Sequence, residues 1–141
     1  MDNLTTEQRR KNMRNIRSQG TAPEKAVMRE LSRRKIYFAR NVKTIMGKPD
    51  IVFRRKMVAV FIDSIFWHGH PKLFIMPKTN TEYWSNKIER NMNRDKIVNE
   101  DLRSKGWNVI RIWDHTIMHE FENCIEIILD AIGKNSASLP D

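Results

Sequence analysis

Gly47-Lys48-Pro49-Asp50-Ile51-Val52-Phe53-Arg54-Arg55-Lys56-Met57-Val58-Ala59-Val60-Phe61-Ile62-Asp63 decides the fold. Pro49 biases the chain out of helix. Two apolar runs of strand length, Asp50–Phe53 and Met57–Ile62, then flank a basic turn near Arg55, which reads as a β-hairpin. The second run is apolar throughout, so it belongs at the centre of a sheet covered on both faces. The covering helices lie on either side in sequence. Thr21-Ala22-Pro23-Glu24 is a capping box with proline in the first turn, followed by Val27, Met28 and Leu31 as a buried stripe. A long helix runs from about Thr81 to Ser104 and ends at Gly106, while Ile117, Phe121, Cys124, Ile125, Ile128 and Ile132 trace a closing amphipathic helix. Tyr37–Arg40 and Trp107–Trp113 supply two further strands. The expected fold class is α/β, a small mixed β-sheet flanked by helices.

At 141 residues the chain has room for one domain, and 40% hydrophobic content supplies one modest core. Its single cysteine, Cys124, excludes an internal disulfide framework and reads as packing on an apolar helical face. No apolar run approaches the ~18 residues of a membrane span, and the first residues lack the order of a secretory signal. A cytoplasmic, reduced, monomeric protein with no membrane partner is the expectation. Charge is more informative. The net charge is +9, and residues 1–56 hold 16 Lys and Arg against 5 Asp and Glu, whereas residues 57–141 hold 10 against 12. Basic charge concentrated in one half fits a polyanionic partner, nucleic acid above all; a basic soluble domain and an anionic membrane surface are the other readings. Part of the excess sits on Thr5–Arg17, a capped helix whose large apolar residues, Met13 and Ile16, are too few to fix it to a core. Residues 1–20 are therefore expected to form a basic DNA-binding arm, residues 21–134 the main domain and residues 135–141 a flexible tail.

Three places carry candidate chemistry. The hairpin register sets Asp50 opposite roughly Val60 to Ile62, with Asp63 just past the strand end; carboxylates and carbonyls gathered there form a hard-cation site, or else Asp50 caps a turn and Asp63 ends a strand. On the long helix Trp84, Ile88, Asn91, Asp95, Val98 and Leu102 share one face. Asn91 and Asp95 interrupt it. Either the stripe passes under solvent there, or the turn borders a cleft in which Asp95 orients a histidine. The loop Phe66-Trp67-His68-Gly69-His70 sets two aromatics beside an imidazole. The rings fold back as a lid, or they serve as wedges at a base step with His68 as general acid or base. A Gly-rich phosphate loop, a Gly-x-Ser-x-Gly elbow and a His-Glu-x-x-His motif are all missing.

Taken in order, these segments resemble one family. Arg9-Arg10-Lys11-Asn12-Met13-Arg14-Asn15-Ile16, Thr21-Ala22-Pro23-Glu24, Gly47–Phe53, Phe61-Ile62-Asp63 with Phe66-Trp67-His68, Pro77-Lys78-Thr79-Asn80 with Tyr83-Trp84, Asn91 with Arg94-Asp95, and Gly106-Trp107 through Ile112-Trp113 are similar to the very-short-patch-repair (Vsr) mismatch endonucleases. The resemblance implies the restriction-endonuclease-like fold and Mg²⁺-dependent hydrolysis of one phosphodiester bond. The cut falls 5′ to the thymine of a T·G mismatch, the product of 5-methylcytosine deamination, in double-stranded DNA. It implies Asp50 as the main metal ligand, helped by the Ile62 backbone carbonyl. His68 activates water, Asp95 supports it, Asp63 fills a second active-site position, and Glu24 is an acidic neighbour. Phe66 and Trp67 become the aromatic wedge, Met13 and Arg14 the arm's contribution to DNA binding, and Lys87 and Asn91 readers of the mismatched bases. At the family's structural-zinc positions this chain has Ile65, His70, Lys72 and His115, two ligands where four are needed, so no closed zinc site is expected. The leading expectation is a mismatch-directed nicking endodeoxyribonuclease that hands its product to downstream mismatch-repair proteins. The alternatives are a strand-specific nicking enzyme of a restriction or mobile-element system and a catalytically silent DNA-binding module.

Overall fold

A computed structural model describes residues 20–133; the basic arm with Met13 and Arg14, and the tail from 134 onward, lie outside the described residues. The elements run α1 (Ala22–Arg33), β1 (Ala39–Arg40), β2 (Ile51–Phe53), β3 (Val58–Asp63), α2 (Thr81–Ser104), β4 (Asn108–Trp113), α3 (Asp114–His119) and α4 (Phe121–Ala131). They form a four-stranded sheet in the order β1-β2-β3-β4, antiparallel except for the parallel β3–β4 pair. A parallel neighbour requires a crossover, and α2 is that crossover. The mixed sheet flanked by helices has the expected restriction-endonuclease-like arrangement.

β3 is buried along its whole length, as its unbroken apolar sequence requires. Strand alternation sorts its side chains. Val58, Val60 and Ile62 pack with α1, α3 and α4 residues such as Leu31, Ile117 and Ile128, whereas Ala59 and Phe61 pack with Val98 and Leu102 of α2 and Val109 of β4. Burial of each large side chain contributes about 1.5–3 kcal/mol. The same alternation turns Asp63 of β3 and Arg111 of β4 toward α2. The sheet therefore delivers one acidic and one basic group to the helix face that carries Asn91 and Asp95.

The hairpin register pairs Ile51 with Val60 and Phe53 with Val58. Its turn closes through Met57 N–H donating to the Arg54 carbonyl at 3.2 Å, with Met57 left-handed at φ 56°. Two elements differ from the sequence reading. Tyr37 is 93% exposed, and pairing of β1 is confined to Ala39 and Arg40, because β1 is the sheet edge and meets only two residues of β2. The closing helix is also broken in two. Glu120 leaves helical geometry at φ −137° and ψ 52°, which turns the chain between Ile117 and the α4 stripe. Among the described residues no helix is long and apolar enough to cross a membrane.

Candidate active site

Asp50 immediately precedes β2 and is held there by backbone. Its N–H donates to the Val60 carbonyl at 3.0 Å, and its own carbonyl accepts from Asn41 N–H at 2.9 Å. The side chain turns across the hairpin mouth, where Oδ2 accepts from Ile62 N–H at 2.7 Å. Glu24, from the first turn of α1, is 1% exposed and accepts from Thr21 N–H at 3.1 Å, completing the expected capping box. Glu24 also lies against Asp50. Burial pushes the Asp50 carboxyl up to about 8, with the charges of Glu24 and Asp63 adding to the effect and the Ile62 N–H opposing it. A carboxyl raised this far ionises readily only beside a cation. The donor set therefore fits a hard divalent ion.

His68 sits across the cleft. Its Nδ1 lies 2.5 Å from Asp95 Oδ2, and its Nε2 is 3.7 Å from Asp63 Oδ1. Burial opposes charging of the ring, but the Asp95 hydrogen bond and the Asp63 and Asp95 charges outweigh it and hold the imidazole above its usual range. Asp63 is 6% exposed, and burial raises its carboxyl against the opposing charges of His68 and Arg111. By spacing, one ligand atom each from Asp63, His68 and Asp95 fall within 4.8 Å of one another, close enough to share a metal ion. An open cleft of about 390 Å³ brings Asp50, Ile62, Asp63, His68 and Asp95 together with Lys87, Asn91 and Trp67.

Asn91 is explained by a contact that periodicity cannot reveal. Its Nδ2 donates to the Trp67 carbonyl at 3.0 Å, fastening the loop to α2. Gly69 fastens the loop again. It is left-handed at φ +59°, and a Cβ there would stand 2.7 Å from Ile88 Cγ2. Ser64 Oγ accepts from Phe66 and Trp67 N–H at 3.2 and 3.4 Å, and Asp114 Oδ1 accepts from Ile65 N–H at 3.2 Å. His70 lies against Trp113 with centroids 4.7 Å apart, and its Nδ1 accepts from Lys72 and Leu73 N–H at 3.0 Å each. His115 packs instead against His119, 4.2 Å between centroids. The loop is thus held against α2, β4 and α3, and by hydrogen bonds within itself. Phe66 and Trp67 are half-buried in a cluster with Trp84, at 5.5 and 6.0 Å, and Lys87 Nζ stands 5.7 Å from the Trp67 ring.

Two residues escaped the sequence reading. Arg111 Nη1 lies 2.9 Å from Asp63 Oδ1 and 3.5 Å from Asp95 Oδ1, and its Nε donates to Asn99 Oδ1 at 2.6 Å. A signal existed for both. An arginine interrupts the apolar run Val109–Trp113, and Asn91, Asp95 and Asn99 recur every four residues along one helix face.

A carboxylate–imidazole cleft at the open end of a helix-flanked mixed sheet is nuclease equipment, and comparison with known proteins gives the kind. The family profile described as DNA mismatch endonuclease Vsr matches residues 1–72. The chain is 40% identical over 136 residues to the type II nicking enzyme V.NmeDIP of Neisseria meningitidis serogroup C, covering 94% of this chain and 90% of that one. It is 42% identical over 123 residues to the type II nicking enzyme V.HpaIIP of Haemophilus parainfluenzae, covering 84% and 86%. It is 36% identical over 107 residues to the DNA mismatch endonuclease Vsr of Escherichia coli K12, covering 75% and 69%. The chain belongs to the Vsr family of DNA endonucleases.

Proposed function

We propose that this protein nicks one strand of duplex DNA on the 5′ side of the thymine of a T·G mismatch, by Mg²⁺-dependent hydrolysis in the cleft around His68. The observation that carries this reading is the His68–Asp95 pair, set beside Asp63 in the cleft that also holds the buried Asp50. Asp50 and the Ile62 carbonyl would hold the ion; Ile62 N–H reaches Asp50, and a strand residue presents its N–H and C=O to the same edge. When bound, Mg²⁺ supplies polarisation of the scissile phosphate and stabilisation of the leaving oxyanion. With Nδ1–H given to Asp95, His68 has its Nε2 lone pair available to take a proton from water. Asp63 and Glu24 supply the negative field that fixes the ion-binding end of the cleft.

Recognition falls to other residues. Phe66 and Trp67 enter the base step beside the mismatch, and Lys87 and Asn91 read the mispaired bases. The arm of residues 1–20 closes over the duplex with Met13 and Arg14, leaving residues 21–134 as the endonuclease domain and residues 135–141 as a tail. Unstacking costs a few kcal/mol per step, and less where pairing is already imperfect, so the mismatch partly selects itself. The enzyme works as a cytoplasmic monomer and passes a nicked duplex to repair proteins downstream. A panel of T·G, other mismatched and fully paired duplexes, each with Mg²⁺ and with chelator, tests the reading. Mg²⁺-dependent nicking concentrated on T·G supports it; equal cutting of paired duplex overturns it.

A second reading is favoured by the description of the Neisseria and Haemophilus relatives as type II nicking enzymes. Here the same chemistry serves strand-specific nicking within a restriction or mobile-element system. Cutting of a paired duplex at a defined sequence, in the same panel, distinguishes it.

A further inference from the structure

The cleft contains two acidic clusters, and they differ in one respect. Asp50 and Glu24 are both buried against each other, and among the described residues neither has an ion pair with a lysine or arginine. Asp63 and Asp95 share a guanidinium. Arg111 Nη1 stands 2.9 Å from Asp63 Oδ1 and 3.5 Å from Asp95 Oδ1. Asp63 Oδ1 is also the oxygen nearest His68 Nε2. A divalent ion held between Asp63, His68 and Asp95 would share both carboxylates with the Arg111 guanidinium and would stand beside its positive charge.

We propose that the Arg111 guanidinium stands where a second divalent cation would otherwise bind, so that this endonuclease takes one divalent ion, at Asp50, and not two. The inference rests on the reading of Asp50 as the metal end of the cleft. Arg111 is held against displacement from two further sides. Its Nε donates to Asn99 Oδ1 at 2.6 Å, and its guanidinium carbon lies 4.1 Å from the centroid of the Phe61 ring. Its side chain is 17% exposed, so a competing ion would have to expel a largely desolvated, multiply bonded cation. The residue acts as a positioning residue, orienting the two carboxylates that face His68.

Counting bound Mn²⁺ by electron paramagnetic resonance, with no DNA present, tests this directly. The expected stoichiometry is one Mn²⁺ per chain for the wild type and for Arg111→Lys, and two for Arg111→Met and Arg111→Gln. Adding His68→Ala to either neutral variant should return the count to one, because the new ion has lost its nitrogen ligand. Two ions on the wild type, or one ion on both neutral variants when thermal unfolding shows them folded, overturns the proposal; should neither fold, the wild-type count still decides it. Asp50→Asn separates the two layers. Loss of the wild-type ion in that variant supports the Asp50 assignment, and retention of it sinks that assignment while the Arg111 comparison still stands or falls on its own counts.

Discussion

Replacing Asp50 by Asn should stabilise the metal-free protein while abolishing nicking. The folded Asp50 carboxyl is pushed up to about 8 from an ordinary value of 3.8, chiefly by burial. Between those two values the folded state holds a proton that the unfolded chain has released, so stability falls as pH rises through this window and levels off above about pH 8. At pH 7 the gap from 3.8 is a little over three pH units, a ceiling of about 4 kcal/mol at ~1.36 kcal/mol per unit. Water entry and local relaxation leave roughly half of it. An asparagine escapes this penalty. Its Oδ1 can accept from Ile62 N–H as Asp50 does, and its Nδ2 can donate to the neighbouring Glu24. Urea unfolding of both proteins in chelator from pH 4 to pH 8 measures the difference. The variant should gain on the order of 2 kcal/mol at pH 7 and approach the wild type near pH 4. With Mg²⁺ at about 100 times its Kd the wild type should recover ~2.7 kcal/mol and the variant none. A variant less stable than wild type at pH 7 in chelator, with unchanged slope against urea, would show that the buried Asp50 carboxyl carries no such penalty.

Further outcomes follow from the loop and the histidine. Nicking by His68→Ala should fall by about 10²–10⁴, the usual worth of a positioned proton acceptor, in single-turnover assays with saturating enzyme. Because His68 is held above its usual range, wild-type nicking should rise with pH along a limb above the ordinary imidazole value of ~6.5. Asp95→Asn should move that limb to lower pH, and a limb that stays in place removes Asp95 as its partner. Trp67→Ala should lose nicking mainly on mismatched duplex; an equal loss on paired duplex contradicts the wedge. Gly69→Ala forces a Cβ to within 2.7 Å of Ile88 Cγ2 at a left-handed position. It should cost about 1–3 kcal/mol in thermal or urea unfolding, and no loss would show that the loop is not seated on α2.

Local chemistry made much of this molecule readable before its coordinates. The run Val58–Ile62 admits few placements other than a doubly covered strand, and the hairpin around Arg55 then sets Asp50 beside Ile62 through register alone. The Thr21–Glu24 capping box marks where α1 begins and Gly106 marks where α2 ends, and both boundaries fall there. Asp95 could be set on a cleft-facing helical turn by periodicity, but its meeting with His68 needed the loop's path. The break at Glu120 had no such signal. The apolar spacing from Ile117 to Ile132 runs straight through it, with no proline or glycine between, and the turn comes from packing. Arg111 stood out in sequence as a charge among apolar neighbours, but its role did not. A charge inside a strand acquires meaning only through partners on β3 and α2, which sequence distance conceals.

The proposed mechanism needs a divalent ion at Asp50, opposite an imidazole that readies water for attack. Nicking of an end-labelled T·G duplex by wild type, Asp50→Asn and His68→Ala, each with Mg²⁺ and with chelator and alongside a duplex-binding measurement, tests it most directly. The wild type should make a single Mg²⁺-dependent cut and neither variant more than a trace, with duplex affinity within a few-fold of wild type for all three. Undiminished cutting by Asp50→Asn, or wild-type cutting that persists in chelator, would contradict it.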